Sequence, residues 1–435
     1  MLGGFSSIGR IPELKRRILI SLLLLAVYRL GCYIPTPYIN TVALQAYFNA
    51  ARGTLLGLFD MFAGGALSQF SIFALGIMPY ISASIILELL TVVVPTLEKL
   101  SKEGEAGRKK ITQYTRYSTV VLSAVQGFGI AVGISTQQAP GGVPLVLLSG
   151  WGFRLLTVLT LTAGTAFLMW LGEQITEFGI GNGISLIIYA GIVSRMPSAI
   201  YDSARLVRAG GMSIFTLTAI GVLMLGVCAF IVFMERGERR VPVQYAKRVV
   251  GRRVYGGQNT HIPLKINTSG VIPPIFASSI IMFPATIANF IKIPWVQSVA
   301  QMIAPGHWLY IVLFVAFIIF FAFFYTAIVF NPVDVADNMK KYGGFIPGIR
   351  PGKPTSDYLD KVLSRITLGG AIYVSAVCVL PTVLIERFGV PFYFGGTALL
   401  IVIGVAMDTM SQIEAHMLSR HYEGFLKNSR ARGRR

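Results

Sequence analysis

Apolar runs about twenty residues long recur along the chain, separated by polar or turn-forming segments. The pattern predicts ten membrane-spanning helices, near 17 to 34, 72 to 95, 117 to 135, 154 to 172, 183 to 201, 213 to 234, 271 to 291, 308 to 330, 366 to 385 and 393 to 413. The second of these organises the rest. From Ser71 to Pro95 the chain is apolar for about 25 residues, enough at 1.5 Å per residue to cross a hydrocarbon core of roughly 30 Å. Just before it, Asp60, Gly64, Gly65, Ser68 and Gln69 break a weaker apolar pattern into a short, soft segment. Lipid tolerates such backbone only where protein or a water-filled cavity surrounds it. Within the span, Gly76, Pro79, Ser82, Ala83 and Ser84 give small, polar-edged steps, with Ile77 and Ile81 one turn apart. That composition suits a helix that lines something.

Composition agrees: 54% of the 435 residues are hydrophobic and 13% charged, which excludes a soluble globular domain. Lys and Arg number 38 against 19 acidic residues, and they are unevenly placed. With both termini cytoplasmic, 30 of the basic residues fall in inner segments, which sets the orientation and adds attraction to anionic lipids. The basic cluster Arg10, Lys15, Arg16 and Arg17 precedes a run followed by Pro35-Thr36-Pro37 rather than a small-residue cleavage site, so it reads as a retained first span. Cys32, Cys228 and Cys378 lie far apart in or beside apolar runs, and their spacing points to neither disulfides nor a metal site.

Ten spans form two sets of five, and an odd number makes the second set enter the membrane from the opposite side. The sequence therefore predicts inverted halves, 1–205 and 206–415, followed by a basic cytoplasmic tail, 416–435. Interruptions fall at matching positions: the Gly64-Gly65 segment before span two, and Asn267, Ser269, Gly270, Pro273 and Pro274 at the entry of span seven. Broken helices at corresponding places point to a pathway at the repeat interface. Two inner loops, about 235–267 and 331–361, are long and basic; the first carries Tyr245, Lys247, Arg248, Arg252 and Arg253 and is expected to be a projecting hairpin, the second carries Arg350.

Glu88 is the one acidic residue well inside a predicted span, whereas ion-coupled carriers usually hold several intramembrane ionisable groups. Catalytic constellations, metal-ligand spacings and cofactor motifs are not evident. Gly179 to Ser185 (GIGNGIS) lacks the preceding strand and following lysine of a phosphate-binding loop and reads as a tight helix entry.

Several strings, in order, carry a resemblance: Gly76 to Ser84 (GIMPYISAS), Ile111 to Tyr117 (ITQYTRY), Gly179 to Ser185, Tyr245 to Tyr255 (YAKRVVGRRVY), Thr268 to Pro284 (TSGVIPPIFASSIIMFP) and Pro347 to Thr355 (PGIRPGKPT). From about Arg10 to Phe425 the chain resembles the SecY family, the channel subunits of the bacterial protein-export translocase. The resemblance implies an all-α clamshell of two inverted five-helix halves in the bacterial inner membrane, without cofactors or enzymatic activity. It implies a pore ring of Ile77, Ile81, Ile184, Ile188, Ile275 and Ile401, with Ile192 continuing the span-five stripe, and a plug, about 57–70, containing Asp60, Met61, Phe62, Gly64 and Gly65. A lateral gate between spans two and seven would hold Ser82, Glu88, Ser278 and Phe283, with Pro274 and Glu88 as departures that bear on its energetics. Tyr245, Lys247, Arg248, Arg252, Arg253 and Arg350 would meet the ribosome or a SecA-like ATPase motor. Further implied partners are SecE-like and SecG-like small membrane subunits and polypeptides bearing signal sequences.

Apolar constrictions dewet when empty and offer a passing chain no fixed hydrogen-bond partner, so a ring of isoleucines suits a protein-conducting pore. The competing class is a small-solute secondary transporter built from inverted repeats. It calls for a polar or charged midplane site, where this chain places isoleucine.

Overall fold

In the computed structural model, described residues are 11–50, 60, 63–139, 142–210, 213–245, 248–250, 253–255, 259–288, 302, 307–388 and 396–432. The chain divides into two compact units, one of Met1–Ala204, Met282–Pro305 and Gly404–Arg435, the other of Arg205–Ile281 and Gly306–Ile403.

In the first unit, helix α1 (Pro12–Gly31) opens on a proline, where the missing N–H has no partner to lose. A short helix, α2 (Thr41–Ala50), follows. Helix α3 (Met78–Val93) carries Pro79 in its first turn, and Val94 then turns extended ahead of Pro95. A residue before proline avoids the helical region, so the chain bends by 99° into α4 (Pro95–Lys102). On that exposed helix, a hydrogen bond from Lys102 and its charge hold the Glu98 carboxyl below the usual range. Helix α5 (Glu105–Ser135) buries Thr115, Thr119, Ser123, Gly127 and Ala131, one small residue per turn. This stripe lets α6 (Trp151–Phe178) come close: a Cβ on Gly127 would lie 3.7 Å from the Leu161 Cβ. The Thr115 and Thr119 hydroxyls donate to carbonyls one turn back at 3.0 and 2.7 Å, so neither of these two is left unpaired. A two-pronged pair ties the same helices together, Arg116 Nε and Nη2 each 2.8 Å from a Glu173 carboxylate oxygen. Asn182 caps α7 (Gly183–Val193), its Oδ1 accepting from the Ile184 and Ser185 N–H groups, which makes GIGNGIS a tight helix entry. After a turn at Ser194 and Arg195 comes α8 (Met196–Arg208).

The second unit contains α9 (Ile214–Arg236), α11 (Trp308–Val329), α12 (Pro332–Lys341) and α13 (Lys353–Phe388), and α10 (Ile272–Ala288) and α14 (Gly396–Arg432) begin in it. Aromatic edges join the helices: Phe230 of α9 meets Tyr373 of α13 at 5.7 Å, and Phe276 of α10 meets Phe321 of α11 at 5.6 Å. Strand β1 (Glu238–Tyr245) is followed by the short pair β2 (Arg248–Val250) and β3 (Arg253–Tyr255), then by β4 (Asn259–Lys265), which pairs antiparallel with β1. A two-residue strand, β5 (Gly344–Phe345), joins the other edge of β1, so the two basic loops share one sheet. Beneath it Val241, Val243, Leu264, Met339, Ile346 and Leu359 form a small buried core. Because Leu359 is wholly buried, Leu359→Ala should cost about 2–5 kcal/mol locally. Limited proteolysis should then cut the basic loops while the membrane helices stay intact.

Among the described residues, seven helices are long and apolar enough to cross a membrane, counting Gly183–Arg205 as one, and the bent α3–α4 pair makes eight. Helices α1 and α10 stand where the first and seventh spans are predicted. Some boundaries move. Span two becomes helical only at Met78 rather than near 72, because Gly76, at φ +56°, turns the chain ahead of it. Spans nine and ten run beyond their apolar cores, from Lys353 and to Arg432, since their charged flanks keep good helix propensity.

Candidate functional site

The segment ahead of α3 is a folded turn. Gly64 and Gly65 are both left-handed, φ +67° and +88°, a conformation open to glycine at little cost. The Asp60 carbonyl accepts from Gly65 N–H at 2.8 Å, and Asp60 Oδ1 accepts from Ser68 N–H at 2.8 Å. The second Asp60 oxygen accepts from Arg195 Nη2, between α7 and α8, and Arg29 Nη1 of α1 donates to the Gly64 carbonyl at 2.9 Å. Ala63, Ala66, Leu67 and Phe70 are buried. The turn lies backbone to backbone on α7, where a Cβ added to Gly191 would come within 3.1 Å of the Gly64 Cα. The segment thus has a built seat of Tyr28, Arg29, Gly191 and Arg195. Met61 and Phe62 lie outside the described residues.

The isoleucines lie on, or immediately before, helices α3, α7, α10 and α14. Ile77 is the residue before α3, and its carbonyl accepts from Ile81 N–H at 3.1 Å, so the two are one turn apart; both are buried. On α7, Ile188 and Ile192 are buried, while Ile184 is half-buried and packs near Gly172 of α6. In the second unit Ile275 is half-buried near the start of α10, and Ile401 is buried in α14.

Of the gate candidates, Ser82 and Glu88 are half-buried on α3. On α10 Ser278 is buried and donates to the Ile275 carbonyl at 2.9 Å, and the neighbouring Ser279 hydroxyl is buried with no partner among the described residues. Phe283 lies on α10, with its side chain outside the described residues. Of the docking candidates, Tyr245 ends β1 beside Gly344, Arg248 and Arg253 lie in the β2–β3 pair, and Arg350 is exposed in the turn ahead of α13. Lys247 and Arg252 lie outside the described residues.

Sequence reasoning missed the seat. Arg29 and Arg195 enter it only as members of the charge count, although a charge inside or beside an apolar span calls for a partner. The pairing of Asp60 with Arg195 links residues 135 positions apart, and no periodicity reports that.

Comparison with known proteins adds a family to this geometry. The SecY family model matches residues 71–410. The chain is 53% identical over 429 residues to the protein translocase subunit SecY of Pseudomonas aeruginosa, spanning 98% of this chain and 96% of that protein. It shares its fold with a solved SecY channel whose plug domain is described as stabilising the closed state and maintaining a membrane seal, at a TM-score of 0.63 and 16% identity, over 93% of each chain. It also shares it with the Sec61 channel of a canine ribosome-channel complex, at a TM-score of 0.60 and 14% identity, over 93% of each chain. The match to the family model and the full-length identity to a curated relative place this chain in the SecY family.

Proposed function

We propose that this chain is the pore subunit of a bacterial protein translocase, passing unfolded secretory polypeptides across the inner membrane and releasing transmembrane segments sideways into lipid. Its halves are 1–205 and 206–415, its tail 416–435, and both termini are cytoplasmic. The observation that carries the reading is the seated turn from Asp60 to Phe70, an irregular segment held against α1 and α7 immediately ahead of an apolar helix entry. In this reading that turn is the plug, with Asp60, Met61, Phe62, Gly64 and Gly65 in it. Ile77, Ile81, Ile184, Ile188, Ile275 and Ile401 form a dry constriction that seals when empty and releases a moving chain. Ser82, Glu88, Ser278 and Phe283 border the lateral gate. The chain acts without a catalytic site or cofactor of its own, driven by a SecA-like motor or the ribosome and accompanied by SecE-like and SecG-like subunits and anionic lipids.

The two basic loops, with Tyr245, Lys247, Arg248, Arg252, Arg253 and Arg350, serve as the docking face. Reconstitution tests both statements: vesicles holding the complex should import an unfolded polypeptide with a signal sequence and not one without. Arg350→Glu should leave insertion and folding unchanged and reduce import through weaker motor binding, a loss relative to the parent that narrows as salt is raised. Reduced import with normal motor and ribosome binding would remove Arg350 from the docking face.

A further inference from the structure

Asp60 is only 4% exposed, yet its carboxylate has two tasks. One oxygen accepts from Ser68 N–H and shapes the glycine turn; the other holds Arg195, whose guanidinium also lies 3.2 Å from where a Cβ on Gly65 would stand. The two partners differ in exposure, with the Arg195 side chain one-third exposed and that of Asp60 5% exposed. An unpaired Arg195 can therefore turn to water where it stands, but an unpaired Asp60 reaches water only if the turn lifts off its seat. The remaining polar tethers of the turn to α1, from Arg29 and Tyr28, reach backbone carbonyls and carry no charge pair.

We propose that Asp60 and Arg195 form an electrostatic latch that holds the turn on α7 and sets how readily it leaves. The proposal rests on reading that turn as the stopper of a channel. Losing the arginine should unseat the turn more than losing the carboxylate, because only the first leaves a buried charge behind. Asp60→Asn keeps an oxygen for Ser68 N–H and removes the charge. Once the carboxylate is gone, Arg195→Gln has little left to disturb, so the two changes should be strongly non-additive.

The test is ion conductance of the complete complex in planar bilayers, with four variants and one deletion. Arg195→Gln should raise conductance about tenfold, the change that accompanies loss of one decade in the closing equilibrium. Asp60→Asn should raise it less, the double variant should match Asp60→Asn, and Arg195→Lys, which keeps the charge, should stay near the parent. Deleting residues 60–69 should leak by itself, and Arg195→Gln should add nothing in that background. A deletion that does not leak overturns the stopper reading and the latch with it. A leaking deletion with tight Arg195→Gln channels, or with additive single effects, overturns the latch alone. Leak from Arg195→Gln that persists undiminished on top of the deletion assigns its effect to helix packing, and also overturns the latch.

Discussion

Replacing Ile81 and Ile401 together with asparagine is expected to turn a sealed membrane protein into an ion leak. Both side chains are buried, at 8% and 1% exposure, and both sit at or near helix entries. An amide without a hydrogen-bond partner in an apolar constriction costs about 1–3 kcal/mol, and water entering the constriction removes that cost. Each substitution therefore shifts the balance from dry to wet by roughly five- to 150-fold, at one decade per 1.4 kcal/mol. Ion flux from vesicles should rise steeply. Import should become less selective, since an easily opened channel demands less binding energy from a weak signal sequence. A secondary carrier whose isoleucines merely pack a core would respond differently. It would lose stability and transport, because a buried amide is a packing defect there, and it would conduct nothing.

The second large effect concerns the gate. In the proposed gate, Ser82 of α3 and Ser278 of α10 would supply small side chains that leave little interdigitation to undo. The Ser279 hydroxyl is buried with no partner among the described residues, so an apolar signal helix entering the proposed gate there would exchange lipid contacts for protein contacts at little polar cost. With Ser82→Cys and Ser278→Cys in one chain, a short crosslinker should abolish import, and a long flexible one should restore it. Equal import with both reagents would move the gate away from these two helices.

How much of this was legible in the sequence varies by element. Long apolar runs such as Trp308–Val329 and Ile214–Arg236 declare themselves, because each holds about twenty residues free of charge, the second meeting charge only at its end in Glu235 and Arg236. The start of α3 does not, since Phe73, Ala74 and Leu75 are as apolar in a buried turn as in a helix, and only the left-handed Gly76 separates the two. The β-rich hairpin shows in its valines, whereas β5 is two residues long and announces nothing. Gly64 and Gly65 mark the segment ahead of α3 as irregular, but its seat depends on residues brought together from α1 and from the end of α7 and the turn after it. Charges show this limit most clearly. Arg29 and Arg195 enter the sequence reading only through the charge count, and what each touches is fixed by the fold.

The central claim is that a polypeptide passes the isoleucines on its way across the membrane. It is tested most directly by placing a photo-crosslinking side chain at Ile81, Ile188, Ile275 and Ile401, one at a time, and stalling an unfolded signal-bearing polypeptide midway through the reconstituted complex. All four positions should crosslink to the stalled chain, and a probe at the exposed Phe215 of α9 should not. Crosslinks from Phe215 but from none of the four isoleucines would contradict the account.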